Sequence, residues 1–154
     1  MLRKRGIRRM SNKLVKPQSN DVFIDNGEKV YTIKSKRGEK VLGTFTFQPS
    51  DTNIVNRYEE VVNFYNTYKM PDNPTDEDMR KIEKEIIEKM AYLIGEDASD
   101  TFFSILGPFS PLESGELFIE QVLTVVAKVI EREMQVRTKK VQRRVNKYVA
   151  KYHN

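Results

Sequence analysis

The last third of the chain, from Ser114 to about Tyr152, constrains the fold most, because its pattern predicts one long helix with two unlike halves. From Leu117 to Ile130 the helix is apolar on more than one face, which is typical of a helix surrounded by its own domain. From Arg132 onward a single apolar stripe runs between Lys and Arg residues. At about 1.5 Å per residue the rod is roughly 57 Å long, more than such a domain needs for its core. The distal half is therefore free to meet a partner.

Length and composition bound the class of protein. A chain of 154 residues is large enough for one domain with a real core. It contains no Cys, which excludes disulfides, thiolate metal sites and cysteine nucleophiles and is compatible with a reducing cytoplasm. Lys128 interrupts the longest apolar run, and the basic first residues lack the apolar core of a secretory signal. We therefore expect neither a membrane span nor a leader.

The net charge of +5 is strongly segregated along the chain. Residues 1–16 carry seven Lys or Arg and no acid, and residues 132–154 carry eight against one acid. Residues 17–131 carry twelve basic and twenty-one acidic residues. An acidic body with basic ends would suit nucleic acid, an acidic protein or a second copy of the chain. Because a charge run is more often a solvated face, nucleic acid is the less favoured partner.

The N-terminal segment, residues 1–20, lacks hydrophobic periodicity, and we expect it to be disordered. Met10 follows a basic run that purine-rich codons can encode. Such codons would also resemble a bacterial ribosome-binding site a short distance upstream of Met10. Our hypothesis is that translation starts at Met10, and the intact mass of the natural product would test it.

Residues 21–48 have the pattern of strands. Val22–Ile24 precede Asn26-Gly27, a dipeptide that favours a tight hairpin turn. Residues 29–33 and 41–47 then alternate between apolar and polar positions. The sequence predicts a three-stranded antiparallel meander, and its single apolar face would need helices to cover it.

Residues 50–106 predict three helices. The first follows an N-cap at Ser50 or Asp51 and extends to about Lys69. The second begins at a capping box made by Thr75 and Asp78. It ends at a glycine at position 95, and a short helix over 97–106 follows. Ser114 is the expected N-cap of the long C-terminal helix.

We therefore expect an α+β, mostly helical fold in a single domain. Residues 1–20 form a basic disordered segment, 21–131 form the α+β body, and 132–154 form a basic amphipathic helical extension.

No catalytic, cofactor or metal motif accompanies this fold. The one histidine, His153, is next to last, so no histidine triad can be assembled. The acidic cluster from Asp72 to Asp78 lacks the spacing and glycine of a calcium loop, and acids at a helix start complement the helix dipole. Walker and dinucleotide-binding glycine patterns are missing too. We expect a protein that is not an enzyme.

Two features indicate protein binding instead. Phe64 lies off the main apolar stripe of its helix, so we expect it to be an exposed contact. At the C-terminal end, an apolar stripe with a basic back is typical of a helix that docks into an apolar groove with acidic rims. Helix-dipole pairing explains basic residues only in the last turn, whereas this run spans about four turns.

Three phrases of the chain carry a family resemblance: GTFTFQPSDTNIVNRYEEVV at 43–62, SPLESGELFIEQVL at 110–123, and a closing basic helix that ends in KYVAKYHN. Residues 21–154 resemble the small tail-assembly chaperones of tailed phages and prophages of Gram-positive bacteria. The basic residues 1–9 depart from that pattern.

The resemblance implies a mostly helical protein of the bacterial host cytoplasm that is not an enzyme. It would coat the long tape-measure protein during tail assembly and help recruit tail-tube subunits, and a longer frameshifted product would also be expected. The expected contacts are the stripe residues, with two cations that steer the partner. These residues are Val141, Val145, Tyr148 and Tyr152 for the stripe, and Arg144 and Lys147 for steering.

Two other classes stay open. A structural tail or neck protein would also lack catalytic residues and would be found in purified particles. A basic nucleic-acid-binding regulator would bind with an affinity that falls steeply with salt. The sequence leaves open the oligomeric state. It also leaves open whether the long helix is continuous or breaks near residues 135–138, which would fold its end back on the body.

Overall fold

The computed structural model of the chain describes residues 20–153, with side chains described as far as residue 144. The fold is α+β and mostly helical, as the sequence predicts. In chain order its elements are β1 (Lys29–Lys34), β2 (Val41–Phe47), α1 (Ile54–Thr67), α2 (Asp76–Ile94), α3 (Glu96–Ile105) and α4 (Phe118–His153). The segment predicted to be disordered lies outside the described residues except for its last position.

The two strands form an antiparallel hairpin whose alternation produces one apolar face. Tyr31 lies opposite Phe45, and their rings stack at 5.6 Å between centroids. Phe45 also packs against Phe102 of α3 at 5.1 Å, so a helix covers this face as expected. At Gly43 an added Cβ would lie 2.7 Å from the methyl group of Thr101, so the close approach of β2 to α3 requires glycine there.

The predicted third strand is absent from the described residues, where the sheet has two strands and not three. Val22–Ile24 are exposed and form no regular structure. The carboxylate of Asp25 accepts a hydrogen bond from the Gly27 N–H at 2.8 Å, and the Asn26 side chain accepts one from the Glu28 N–H at 3.1 Å. The Glu28 N–H is the donor that a two-residue hairpin turn would direct to the Asp25 carbonyl. Because the Asn26 side chain occupies it, the chain turns here without a strand pair.

The predicted helix starts are confirmed in one case and wrong in another. The capping box is present: the Thr75 hydroxyl accepts from the Asp78 N–H at 3.1 Å, and the Asp78 carboxylate accepts from the Thr75 N–H at 2.9 Å. In contrast, the N-cap of α1 is Asn53. Asp51 instead accepts a hydrogen bond from the Asn53 N–H and pairs with Arg57.

The long helix begins later than predicted and is unbroken. Residues 111–117 first form a turn closed by a hydrogen bond from the Leu112 N–H to the Glu116 carbonyl at 2.8 Å, so Ser114 is not the N-cap. The carboxylate of Glu120 then accepts from the Leu117 N–H. The helix continues through residues 135–138 without a break, and its 36 residues correspond to a rod of about 54 Å.

One hydrophobic core joins all the elements except β1, whose Tyr31 packs against it. The first half of α4 lies at its centre, and Tyr58 of α1 donates its hydroxyl to the Leu123 carbonyl at 3.2 Å. The buried core residues are Phe45, Phe47, Ile54, Val61, Ile86, Met90, Leu93, Ile94, Ala98, Phe102, Phe118, Ile119, Val122, Leu123, Val126 and Ile130.

Two neighbouring valines of α4 allow a matched test of this core. Val122 is 1% exposed, whereas Val125 is 42% exposed. We expect Val122→Ala to lower the free energy of unfolding by about 2 kcal/mol, because it removes buried methyl groups and leaves a cavity. Val125→Ala should change it by less than about 0.5 kcal/mol. Urea denaturation followed by circular dichroism measures both values, and equal effects would contradict the core assignment.

Candidate protein-binding surface

A buried carboxylate attaches the long helix to the hairpin. Glu133 is 6% exposed, although it is the only acid among residues 132–154. It accepts a hydrogen bond from the Lys29 ammonium and another from the Tyr31 hydroxyl at 3.2 Å. Arg137, one helical turn further on, lies 3.6 Å from the second carboxylate oxygen. The charge of Glu133 is therefore compensated from β1 and from its own helix, as burial of a carboxylate requires.

Arg137 extends this polar cluster to the turn before β1. Its guanidinium donates to the Gly27 carbonyl at 3.1 Å and to the Ser50 hydroxyl at 2.7 Å. Gly27 has a φ of +82°, which favours glycine, and an added Cβ would lie 3.1 Å from the Ser50 oxygen. Ser50, predicted as a helix cap, is thus used to hold α4. We call Lys29, Tyr31, Glu133 and Arg137 the polar clamp.

The clamp perturbs the titration of its members. The hydrogen bond from Lys29 lowers the pKa of Glu133 below its ordinary value, and this effect outweighs burial. Burial raises the pKa of Tyr31 to about 12, and the nearby Glu133 carboxylate adds to the shift. Tyr31 is therefore a neutral hydrogen-bond donor, and Glu133 is an ionised acceptor, at neutral pH.

Beyond the clamp, α4 leaves the body. Contacts between α4 and the segments that flank the hairpin continue to Arg137, five residues past the position where the sequence suggested that the extension begins. From Thr138 to Arg144 every side chain is exposed. We call residues 138–153 the distal segment. Its described part presents four exposed cations, Lys139, Lys140, Arg143 and Arg144.

The distal segment continues the face that the body buries in the first half of α4. Leu123, Ile130, Met134 and Val141 are separated by seven, four and seven residues, so they share one face of the unbroken helix. Leu123 and Ile130 are buried, Met134 is half-buried, and Val141 is 52% exposed. The apolar face thus extends past the elements that cover it.

The predicted contact residues divide into two groups. Val141 and Arg144 are exposed, as predicted for contacts. Val145, Lys147, Tyr148 and Tyr152 belong to the helical backbone, and their side chains lie outside the described residues.

Phe64 is placed differently from its prediction as an exposed contact. Its side chain is half-buried and packs against Tyr68 at 5.5 Å between ring centroids, and the Lys89 ammonium lies 5.2 Å from its ring. It lines a cavity of about 390 Å³ between α1 and α2. Burial and the nearby Glu120 carboxylate raise the pKa of its neighbour Tyr65, and Glu120 lies roughly 30 Å along α4 from Val141. Phe64 and the distal segment are therefore separate surfaces.

A second apolar surface lies between the hairpin and α4. Tyr31 and Ile33 form one wall of a groove of about 450 Å³, and Val125 and Val129 form part of the other. Lys34, Lys36 and Arg132 are exposed at this groove. Sequence reasoning missed it, because it arises only when β1 and α4 are brought together.

Comparisons with known proteins identify no relatives: no protein family, curated protein or solved structure matches the chain. Within residues 20–153, no group of three or more His, Cys, Asp or Glu could hold a metal ion. No helix in the described part of the chain is long and apolar enough to cross a membrane.

The polar clamp can be tested by replacing its carboxylate. We expect Glu133→Gln to lower the free energy of unfolding by about 2 kcal/mol at pH 7, because charge-assisted hydrogen bonds from Lys29 and Tyr31 are weakened. Because the pKa of Glu133 is lowered on folding from 4.5, its stabilisation is complete above that pH and is lost as the pH falls further. The difference between wild type and variant should therefore shrink in acid.

Urea unfolding at a series of pH values measures this difference. Glu131→Gln is the matched control, because Glu131 is exposed on the same helix two residues away. An equal loss in both variants, or a difference that does not depend on pH, would show that the clamp does not stabilise the fold.

Proposed function

We propose that this chain is a non-enzymatic assembly chaperone that holds a helical protein partner along the distal segment of α4. The resemblance to tail-assembly chaperones makes the tape-measure protein the proposed partner, with recruitment of tail-tube subunits as the outcome. One observation carries the proposal: Val141 is exposed on the face that Leu123 and Ile130 bury in the same unbroken helix. An uncovered apolar face with cations beside it suits an amphipathic partner helix.

The charges near Val141 support a partner with acidic residues beside its apolar stripe. Lys140 and Arg144 are exposed beside Val141, whereas Lys139 and Arg143 are exposed on the opposite side of the helix. Exposed ion pairs add little affinity in salt, but they steer association and select the partner. Affinity should therefore come from burial of the stripe, and the dependence on salt should come from the cations.

The test is co-expression with the tape-measure protein encoded nearby, followed by affinity capture and size exclusion at low and high salt. The stripe variant changes Val141, Val145 and Tyr148 to Asp. The matched control changes Gln142, Asn146 and Ala150 to Asp, three positions that lie about 100–180° around the same helix from Val141. Both variants add three negative charges to the same segment, so they differ only in the face that is changed.

We expect a complex that survives high salt in the wild type and the control and is lost in the stripe variant. Three buried side chains of this size are worth enough for an affinity loss of at least about 100-fold. Equal losses in both variants would mean that charge, and not the stripe, holds the partner. Wild-type protein recovered in finished tails without a tape-measure complex would favour the structural alternative, and salt-sensitive binding to DNA would favour the regulator.

A further inference from the structure

The hydrogen bonds of β2 define which way each residue of the hairpin faces. The Thr46 N–H donates to the Asp97 carboxylate of α3 at 3.1 Å, so it points away from β1. Val30 is the cross-strand neighbour of Thr46, and Thr32 is that of Thr44. In an antiparallel ladder, hydrogen-bonded and non-bonded pairs alternate. Val30 and Thr32 therefore direct their N–H and C=O groups to the outer edge of β1. Lys34 does the same despite an irregularity in the ladder between Ile33 and Lys34, because the next residue, Ser35, donates its N–H across the hairpin to the Lys40 carbonyl.

No part of the chain that the structure describes covers the outer edge of β1, unlike that of β2. On β2, α3 supplies Asp97 to the Thr46 N–H and Thr101 to the Thr44 carbonyl. On β1, no described residue hydrogen-bonds to the backbone of Val30, Thr32 or Lys34. The Val30 side chain is 66% exposed, and those of Thr32 and Lys34 are exposed too. Natural proteins usually protect such an edge, because it is a template for another strand.

We propose that β1 pairs with β1 of a second copy of the chain, antiparallel about a two-fold axis at Thr32, to give a four-stranded sheet. In this register Thr32 faces Thr32 of the second copy, and Val30 faces Lys34. Each of these outward-facing residues exchanges backbone hydrogen bonds with its opposite residue. This register uses the whole outer edge of β1, which shorter overlaps leave partly unpaired.

The side chains are complementary in the same register. On the inner face, Tyr31 lies opposite Ile33 of the second copy, an aromatic and β-branched pair of the kind that stabilises sheets. Both are half-buried at the mouth of the groove between the hairpin and α4, so pairing covers more of their apolar surface. A shift by one residue would instead place Lys29 opposite Lys34 and misalign the backbone groups.

Charge at the ends of the strand selects a second copy in antiparallel orientation. Glu28 precedes β1 and Lys34 ends it, and both side chains are exposed. Antiparallel pairing brings Glu28 of each copy diagonally next to Lys34 of the other, within reach of long side chains. Parallel pairing would set like charges side by side. The edge is thus complementary to itself.

Because the chain has no cysteine, a single introduced cysteine reports the pairing directly. In the proposed dimer the two Thr32 Cα atoms lie about 5.5 Å apart, within disulfide range. The two Thr44 Cα atoms lie three strand spacings apart, at about 14 Å. We expect Thr32→Cys to form a disulfide-linked dimer when diamide oxidises the two thiols and is itself reduced to the hydrazine. The control Thr44→Cys, at a position that is also exposed, should stay monomeric, and equal cross-linking of the two variants would overturn the proposal.

Charge exchange tests the register without altering the backbone. By sedimentation equilibrium we expect the wild type to dimerise with rising concentration. Glu28→Lys and Lys34→Glu should each weaken the dimer roughly tenfold, because each puts like charges at both ends of the paired strands. An equimolar mixture of the two variants should recover wild-type affinity as a heterodimer. A wild type that stays monomeric, or a mixture that gains nothing, would overturn the proposal and leave the edge to a strand of another protein.

Thr32→Pro gives an independent check on the backbone bonds. Proline removes the outward N–H of Thr32, which the hairpin does not use, so it should abolish the dimer and keep the circular dichroism of the fold. Thr32→Val, which keeps the N–H, should dimerise normally. Dimerisation of a folded Thr32→Pro variant at wild-type affinity would overturn the proposal, and the charge exchange decides the matter if this variant does not fold.

Discussion

The first half of α4 is apolar on more than one face, and the rest of the body is arranged to cover it. Ile119 is completely buried, and Val122 is 1% exposed. On one side, Tyr58 of α1 donates its hydroxyl to the Leu123 carbonyl of α4. On another, the ring of Phe103 of α3 packs edge-on against that of Phe118, with 6.2 Å between ring centroids. A helix with this pattern cannot lie on a surface, because an exposed apolar face would cost free energy. The hairpin and the other helices form the surrounding layer that the pattern requires.

Apolar packing against α4 ends near Ile130. Over the next two turns of the helix, polar contacts connect α4 to the body. Glu133 and Arg137 lie in phase with the buried face but meet the Lys29 ammonium, the Tyr31 hydroxyl and the Gly27 carbonyl. Directed hydrogen bonds set the angle and register of a helix more narrowly than non-directional burial does. The clamp therefore fixes α4 to the body at the point from which the distal segment extends along the same helix axis.

Local patterns in the sequence predicted the parts of the fold whose interactions are local. The alternation of apolar and polar residues predicted both strands of the hairpin. The capping box formed by Thr75 and Asp78 predicted the start of α2. The prediction of a third strand was wrong, because the side chains of Asp25 and Asn26 accept hydrogen bonds from the backbone N–H groups of the turn. Phe64, predicted as an exposed contact, is half-buried because α2 supplies one wall of the cavity that it lines.

The sequence did not predict the polar clamp, because the clamp joins residues about a hundred positions apart in the chain. Hydrophobic periodicity reports only on nearby residues. One signal was nevertheless present. Glu133 is the only acid in a basic stretch, and it lies three residues after Ile130 on the buried side of the helix. An isolated charge of opposite sign at a core-facing position indicates a buried partner. The same reasoning did not reveal the open edge of β1, because a sequence does not show which strand edge a helix covers.

The open edge of β1 and the distal segment are joined through one strand. Tyr31 contributes its backbone to the hairpin and its hydroxyl to Glu133, while the adjacent Val30 and Thr32 direct their backbone groups outward. Pairing of two β1 strands about a two-fold axis would therefore relate two clamps, and with them two distal helices, by the same axis. Two apolar faces held in such a relation could bind one long helical partner at two points. The second contact would then gain from a high effective concentration, so weak single contacts could still give a stable complex.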